Sequence, residues 1–306
     1  MPVTPSGLLV IDKPGGITSH GVVSVVRRAL GTRKVGHAGT LDPMATGVLI
    51  LGIDRGTRLL GHLALHDKEY LATIRLGSAT VTDDREGDVL HTASPESLGS
   101  ISDEQIESAV ARLRGEIEQV PSAVSAIKVD GKRAHALVRA GEDVVLKPRR
   151  VTVAGFEVRS IARDHAWIDL EVAVTCTTGT YVRALARDLG SDLGVGGHLT
   201  ELRRTRVGGW TVGEAVGLEE LADGPNPAAH VVALGIAAER SFPIRIVSAA
   251  EASYIVTGRR IPWADPPDSG GALAPSPVAL MSADGSLLAL AERREAQAKY
   301  LAVFAE

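Results

Sequence analysis

A chain of 306 residues, 44% apolar and 23% charged, has an ordinary globular composition with room for one large domain and a small appended one. Its single cysteine, Cys176, excludes an intrachain disulfide and any multi-cysteine metal site, which suits a reducing cytoplasm. The net charge of −4 conceals an uneven distribution: Met1 to Leu60 carries seven basic and three acidic residues, Val124 to Arg150 repeats those numbers, and Thr82 to Glu118 carries three basic and ten acidic. Basic stretches of this kind suit a phosphate-bearing partner or an ordinary solvated surface, and charge alone does not separate the two. No apolar run reaches the roughly 18 residues of a spanning helix. The N-terminal MPVTPSGLLVIDKP lacks a basic leader, so the expected location is the cytoplasm, without membrane association.

GLLVIDKP, Gly7 to Pro14, reads as a short buried strand stopped by Lys-Pro-Gly-Gly. Thr18-Ser19 is placed to cap a helix through HGVVSVVRRAL, with Arg27 and Arg28 in its last turn, where the helix dipole favours cations. A loop is expected from Gly31 to Gly39, followed by a bend at Asp42 and the apolar strand GVLILGI. YLATIRLG alternates as a half-exposed strand does, and TVTDDREGDV is turn chemistry, with Asp83, Asp84 and Asp88 as turn residues. SDEQIESAVARLRGEI predicts an amphipathic helix whose Ser102 and Gln105 form a capping box. VTVAGFEVRSIARDHAWIDLEVAVTC predicts two strands joined by a polar turn, leading through TTGTYVRAL into a helix.

Strands and helices mix without a regular βαβ repeat, which points to an α+β fold. A composition shift at GPNPAA and Phe242-Pro243 divides the chain into residues 1–240 and a small β-rich domain, 241–306. The latter reads as strand, helix, turn and strand in FPIRIVSAAEASYIVTGRRIPW, the loop WADPPDSGGALAPSP, and closing strands VALMSADGSLLALAE and KYLAVFAE. About 65 residues are marginal for an independent core, so this domain should dock on the larger one.

The candidate chemistry centres on VGHAGTLDPMATGVLIL, Val35 to Leu51. Asp42 sits there in a bend of glycine, threonine and proline, immediately before an apolar run. An aspartate before proline is commonly a turn residue. Here Ala38, Gly39 and Thr40 would also let a large ligand approach the backbone, with the apolar run as rigid support. Tyr70 offers a phenol, and Tyr181 and Arg183 share a face if CTTGTYVRAL is extended. An arginine beside a carboxylate keeps it ionised and aims it. One carboxylate, one arginine and two tyrosines suit covalent or electrophilic-carbon chemistry, although spacing alone does not bring them together. GxGxxG, Walker A, HExxH and GxSxG patterns are absent, the nine histidines show no ligand spacing, and Cys176 reads as a core filler.

Five segments in order then carry a family likeness. GHAGTLDPMATGVLILG resembles the signature of the TruB-type tRNA pseudouridine synthases of the bacterial, stand-alone kind. LLVIDKPGGITSH, KEYLATIRLGSATVTDDREG, QVPSAVSAIKVDGKRAHALVRAG and CTTGTYVRALARDLGSDLGVGGHLTELRRTRVGGW resemble that family's further motifs, so the likeness runs from Leu8 to Trp210. The resemblance implies Asp42 as nucleophile, Tyr70 as the ring stacked on the target base and proton acceptor, and Arg183 as the partner of Asp42. It makes Tyr181 a substrate contact, Leu202 a contact to the uracil, and His37 the filler of the place a flipped nucleotide leaves. Lys13 and Pro14 become structural supports. It further implies a mixed, largely antiparallel pseudouridine synthase sheet with flanking helices, a PUA-like C-terminal domain, and Arg245, Arg259 and Arg260 as its phosphate contacts. The substrate would be uridine 55 in the T-arm of tRNA, and the protein a monomer needing neither cofactor nor metal. His135 stands where the family has a tyrosine. Two other readings share the scaffold: an RNA-binding or RNA-folding protein without chemistry, and the catalytic subunit of a guide-RNA-dependent complex.

Overall fold

The computed structural model describes residues 5–125, 128–129, 132–133, 146–264 and 277–305. His135, most of the second basic stretch and all but the ends of WADPPDSGGALAPSP lie outside the described residues. The chain forms two compact units. One gathers the described parts of Met1–Pro43, Gly47–Leu65 and Gly208–Glu306, and the other those of Met44–Thr46 and His66–Val207. Among the described residues, no helix is long and apolar enough to cross a membrane.

The first unit is built on β1 (Gly7–Lys13), β2 (Val35–Ala38) and β3 (Thr46–Ile53). β1 and β3 run antiparallel from Gly7↔Ile53 to Lys13↔Gly47. Both are almost wholly buried, which explains the apolar runs LLVI and VLILGI within them. β2 falls inside the stretch expected to be a loop. Its four residues, VGHA, show no periodicity of their own and are made a strand by pairing with β3, Val35↔Ile53 to Ala38↔Ile50. The other edge of β1 takes two late segments, Val216–Gly217 in parallel and Val232–Ala233 antiparallel. α1 (Ser19–Ala29) packs Val22, Val23 and Val26 on Leu9, Ile11, Leu49 and Leu51. Its N-cap is Thr18, whose Oγ1 accepts from Gly21 N at 2.9 Å, as the sequence predicts.

A separate four-stranded sheet closes this unit: Ile244–Ile246, Val278–Met281, Leu287–Arg294 and Gln297–Val303. Ser248 and Glu251 form a capping box on its helix, Ala249–Val256, which buries Ile255 against Val278, Leu280 and Ala289. Two details differ from expectation. VALMSADGSLLALAE is two strands, because Gly285 at φ 83° lets the chain reverse. RRIPW contributes only a bridge, Pro262↔Gln297. The sheet docks on the N-terminal segment, where Arg55 Nη1 donates to Phe304 O at 3.0 Å and Arg58 donates to Val303 O.

The second unit carries β4 (Lys68–Leu76), α2 (Asp103–Arg112), β5 (Gly115–Gln119), β6 (Arg149–Arg163), β7 (Ile168–Cys176), α3 (Val182–Asp192) and β8 (Gly197–Val207). The strands follow the order β8-β4-β7-β6-β5, antiparallel at every pair. The capping box of Ser102 and Gln105 is present on α2. That helix stops earlier than expected: Gly115 at φ 82° breaks it, and GEI begins β5. β4 alternates buried and open positions, with Tyr70, Ala72 and Ile74 turned inward.

α3 lies close on the start of β8 because two backbones meet at glycines. A Cβ built on Gly190 would stand 2.1 Å from Gly197 N and 2.2 Å from Gly196 C. Gly190→Ala is therefore expected to destabilise the protein by about 1–3 kcal/mol. Gly61→Ala, where an added methyl meets nothing within 4 Å, should change stability far less. Denaturant unfolding of the two variants checks this, and equal stabilities would refute the close approach.

Candidate active site

Asp42 lies half-buried in the bend between β2 and β3, and its two neighbours are fixed from the N-terminal end of the chain. Lys13, at the end of β1, is fully buried. Its ammonium donates to Pro14 O at 2.9 Å, Ile17 O at 2.7 Å and Pro43 O at 3.1 Å. Gly16 N also donates to Pro43 O, at 2.8 Å. On the other side, Leu41 N donates to Ser19 Oγ at 2.9 Å, and that hydroxyl donates to Leu41 O at 3.0 Å. Gly39, at φ 69°, turns the chain into the bend. His37 is half-buried on β2, opposite Leu51. Pro14 is exposed and takes part through its carbonyl.

Tyr70, Tyr181, Arg183 and Leu202 belong to the second unit. Tyr70 is buried on β4 opposite Arg204, and Leu202 lies opposite Ala72. Leu202 and Tyr70 therefore share one face of the sheet as diagonal neighbours. Tyr181 and Arg183 are not successive positions of an extended stretch. Tyr181 is the N-cap of α3, its backbone held by Gln119 at 2.8 Å and 3.0 Å, and Arg183 is in the first helical turn.

Arg183 is 3% exposed, and its guanidinium donates to Thr82 O at 2.6 Å and Val124 O at 2.9 Å. Asp84 Oδ2 lies 3.3 Å from Nη1. Asp84 is itself buried, and its Oδ1 accepts from Thr82 Oγ1 at 2.6 Å and Glu86 N at 3.0 Å. Next to it, Asp83 at φ 59° pairs with Arg187 at 3.2 Å. Burial raises the Asp83 carboxyl above its ordinary range, against the lowering pull of Ser122 and Arg187. The turn reading of TDDREGDV thus leaves out one buried ion pair, Arg183–Asp84, and one half-buried pair, Arg187–Asp83. The signal available was Arg183 and Arg187 at i, i+4 on one helix face, matching adjacent aspartates elsewhere. Arg245 also differs from expectation: it is buried, donates to Pro262 O at 2.9 Å and pairs with Glu251, so it is not a surface cation for phosphate. Arg259 and Arg260 are exposed, the former over the Tyr254 ring at 4.3 Å.

At the head of β4, Lys68 faces Cys176 across one pairing and Val207 across the other. Burial, with Arg204 nearby, brings its ammonium down from 10.5 to about 8, and burial pushes the Cys176 thiol up to about 11. Cys176 is a core residue, as its sequence context suggested. Between about pH 8 and 10.5 the unfolded chain holds the Lys68 proton that the fold releases, so this group's contribution to stability rises with pH across that window. Lys68→Met removes the buried charge. The melting-temperature advantage of Lys68→Met over the unsubstituted protein is expected to be largest at pH 7 and to shrink by pH 10. A constant difference would show that burial of the charge is not the cause.

The fold is that of the pseudouridine synthases. Aligned with a chain of the solved Cbf5–Nop10–Gar1 complex, the structure gives a TM-score of 0.71 at 26% identity, covering 98% of this chain and 84% of that one. Residues 27–182 match the profile of the TruB family pseudouridylate synthase N-terminal domain, and 183–230 that of the tRNA pseudouridylate synthase B C-terminal domain. The tRNA pseudouridine synthase B of Cutibacterium acnes is 55% identical over 285 residues, 93% of this chain and 92% of that protein. That of Leifsonia xyli subsp. xyli is 53% identical over 299 residues, 98% and 96% respectively. The chain belongs to the TruB family of tRNA pseudouridine synthases.

Proposed function

We propose that the protein converts uridine 55 in the T-arm of tRNA to pseudouridine, with Asp42 as nucleophile. The observation that carries this reading is the bend of GTLDPMATG: its aspartate is flanked on each side by a carbonyl held by buried donors. Such bracing suits a side chain that must meet one atom of a large substrate.

The reaction breaks the N1–C1′ bond, turns the uracil and joins C5 to C1′; C5 loses its proton and N1 takes one up. It is an isomerisation, with no net oxidation or reduction. The target nucleotide must first leave its stack, at a cost on the order of a few kcal/mol. Tyr70 stacks on the extruded base and its phenolic oxygen accepts the C5 proton, Leu202 packs on the uracil, and Tyr181 contacts the substrate. His37 fills the vacated place, and Arg183 keeps the Asp42 carboxylate ionised, itself aimed by Asp84. Lys13 and Pro14 support the bend. Residues 241–306 act as a PUA-like RNA-binding module in a cytoplasmic monomer, with Arg259 and Arg260 on phosphates, a sequence-independent contact.

Asp42→Asn keeps the shape and removes the nucleophile. Tritium release from tRNA carrying 5-tritiated uridine should fall to background while tRNA binding persists, and retention of a tenth of the turnover would sink the assignment. The same assay on a transcript with cytidine at position 55 should be silent, and release from it would refute the position.

Tyr70→Phe keeps the ring and loses the hydroxyl. A much slower chemical step with little change in affinity is expected, and full activity would exclude the phenol from proton transfer.

A further inference from the structure

Ser19 is the first residue of α1, where a hydroxyl would ordinarily serve the helix end. That duty is already met by Thr18, whose Oγ1 accepts from Gly21 N. Ser19 instead turns away from its own helix, is 2% exposed, and spends both its donor and an acceptor on Leu41, at 3.0 Å and 2.9 Å. A hydroxyl offers one proton and two lone pairs, so a two-way bond to the N–H and C=O of one residue fixes the orientation of both adjacent peptide planes. The peptide following Leu41 is the one that begins Asp42. Lys13 and Gly16 hold the carbonyl of Pro43, one peptide beyond Asp42, so the bend is braced on both flanks of the aspartate.

We propose that Ser19 is a positioning residue that aims the Asp42 carboxylate through the Leu41 backbone, an inference that rests on reading Asp42 as the nucleophile. Without the hydroxyl, Leu41 loses one partner for its N–H and one for its C=O inside a buried site, and the bend can rotate while the rest of the fold stands. At 2% exposure, Ser19 offers no surface to base or ribose. Its removal therefore alters the rate of the chemical step and leaves tRNA affinity alone.

The test uses the full chain with Ser19→Ala, Ser19→Thr and Asp42→Asn, assayed by single-turnover tritium release, tRNA affinity and thermal unfolding. Ser19→Ala should slow the chemical step about 10- to 100-fold, the scale of a displacement near 1 Å, with unchanged affinity and a native circular dichroism spectrum. Ser19→Thr, which keeps the hydroxyl, should recover most of the rate. A Ser19→Ala rate within twofold of the unsubstituted enzyme, beside an inactive Asp42→Asn, would overturn the positioning role and leave the nucleophile standing. Equal losses in Ala and Thr, or a loss of affinity that follows the unfolded fraction, would reduce Ser19 to helix packing and overturn it as well. An active Asp42→Asn would remove the reading on which the proposal rests.

Discussion

A fully buried ammonium, that of Lys13, ties together the end of β1, the approach to α1 and the bend at Asp42. Placing such a charge in the interior is costly unless its donors are matched, and here each of its three protons has a carbonyl. The arrangement is informative because the acceptors come from Pro14, Ile17 and Pro43, all in turns that have no ladder of their own. One side chain thus satisfies backbone groups that strands and helices leave over. The same need explains why Gly16 N and Ser19 converge on the flanks of the same bend. The bend is polar, buried in part and free of regular structure, and it holds its shape because its carbonyls and N–H groups have assigned partners.

The second unit solves a parallel problem with opposite charges. Arg183 is buried with a carboxylate and two carbonyls, and Asp84 is in turn held by a hydroxyl and a backbone N–H. Removing Arg183 would leave the buried Asp84 carboxylate with only a hydroxyl and a backbone N–H. The pair also fastens a turn to the first turn of α3, so the helix start and the turn move as one body. Gly190 and Gly197 let the far end of the same helix sit against β8. Arg183 thus sits on an element that is fixed at both ends.

Features decided within a few residues were legible in the sequence. Thr18 and the Ser102–Gln105 box announce helix starts by local hydrogen bonds, and β1, β3 and β4 announce themselves by apolar runs or alternation. Asp42 and Tyr70 could be singled out because their motifs are contiguous, although their roles came from resemblance and not from spacing. What escaped depends on distant partners. β2 is a strand only because β3 is beside it, Asp84 is an ion-pair member only because α3 returns to it, and Arg245 reads as a surface cation until Glu251 and Pro262 are brought against it. Tyr181 and Arg183 share a face only on an extended stretch, and the helix starts between them, with Tyr181 as its N-cap.

The division of the chain into its two units has a consequence for biosynthesis. The unit holding β4 to β8 is almost continuous in sequence, whereas β1 finds its outer partners only at Val216–Gly217 and Val232–Ala233. At about 5–20 residues per second, on the order of ten seconds separates the emergence of the first segment from that of the residues that cover its edge. During that interval a largely apolar strand waits with one row of backbone groups unpaired, the kind of edge that recruits other chains. The edge of β1 is therefore exposed to misassembly until Val216–Gly217 and Val232–Ala233 have been made. A ribosome stalled between these points would present the ladder of β1 and β3 half-made, and that species is the one a chaperone would have to shield.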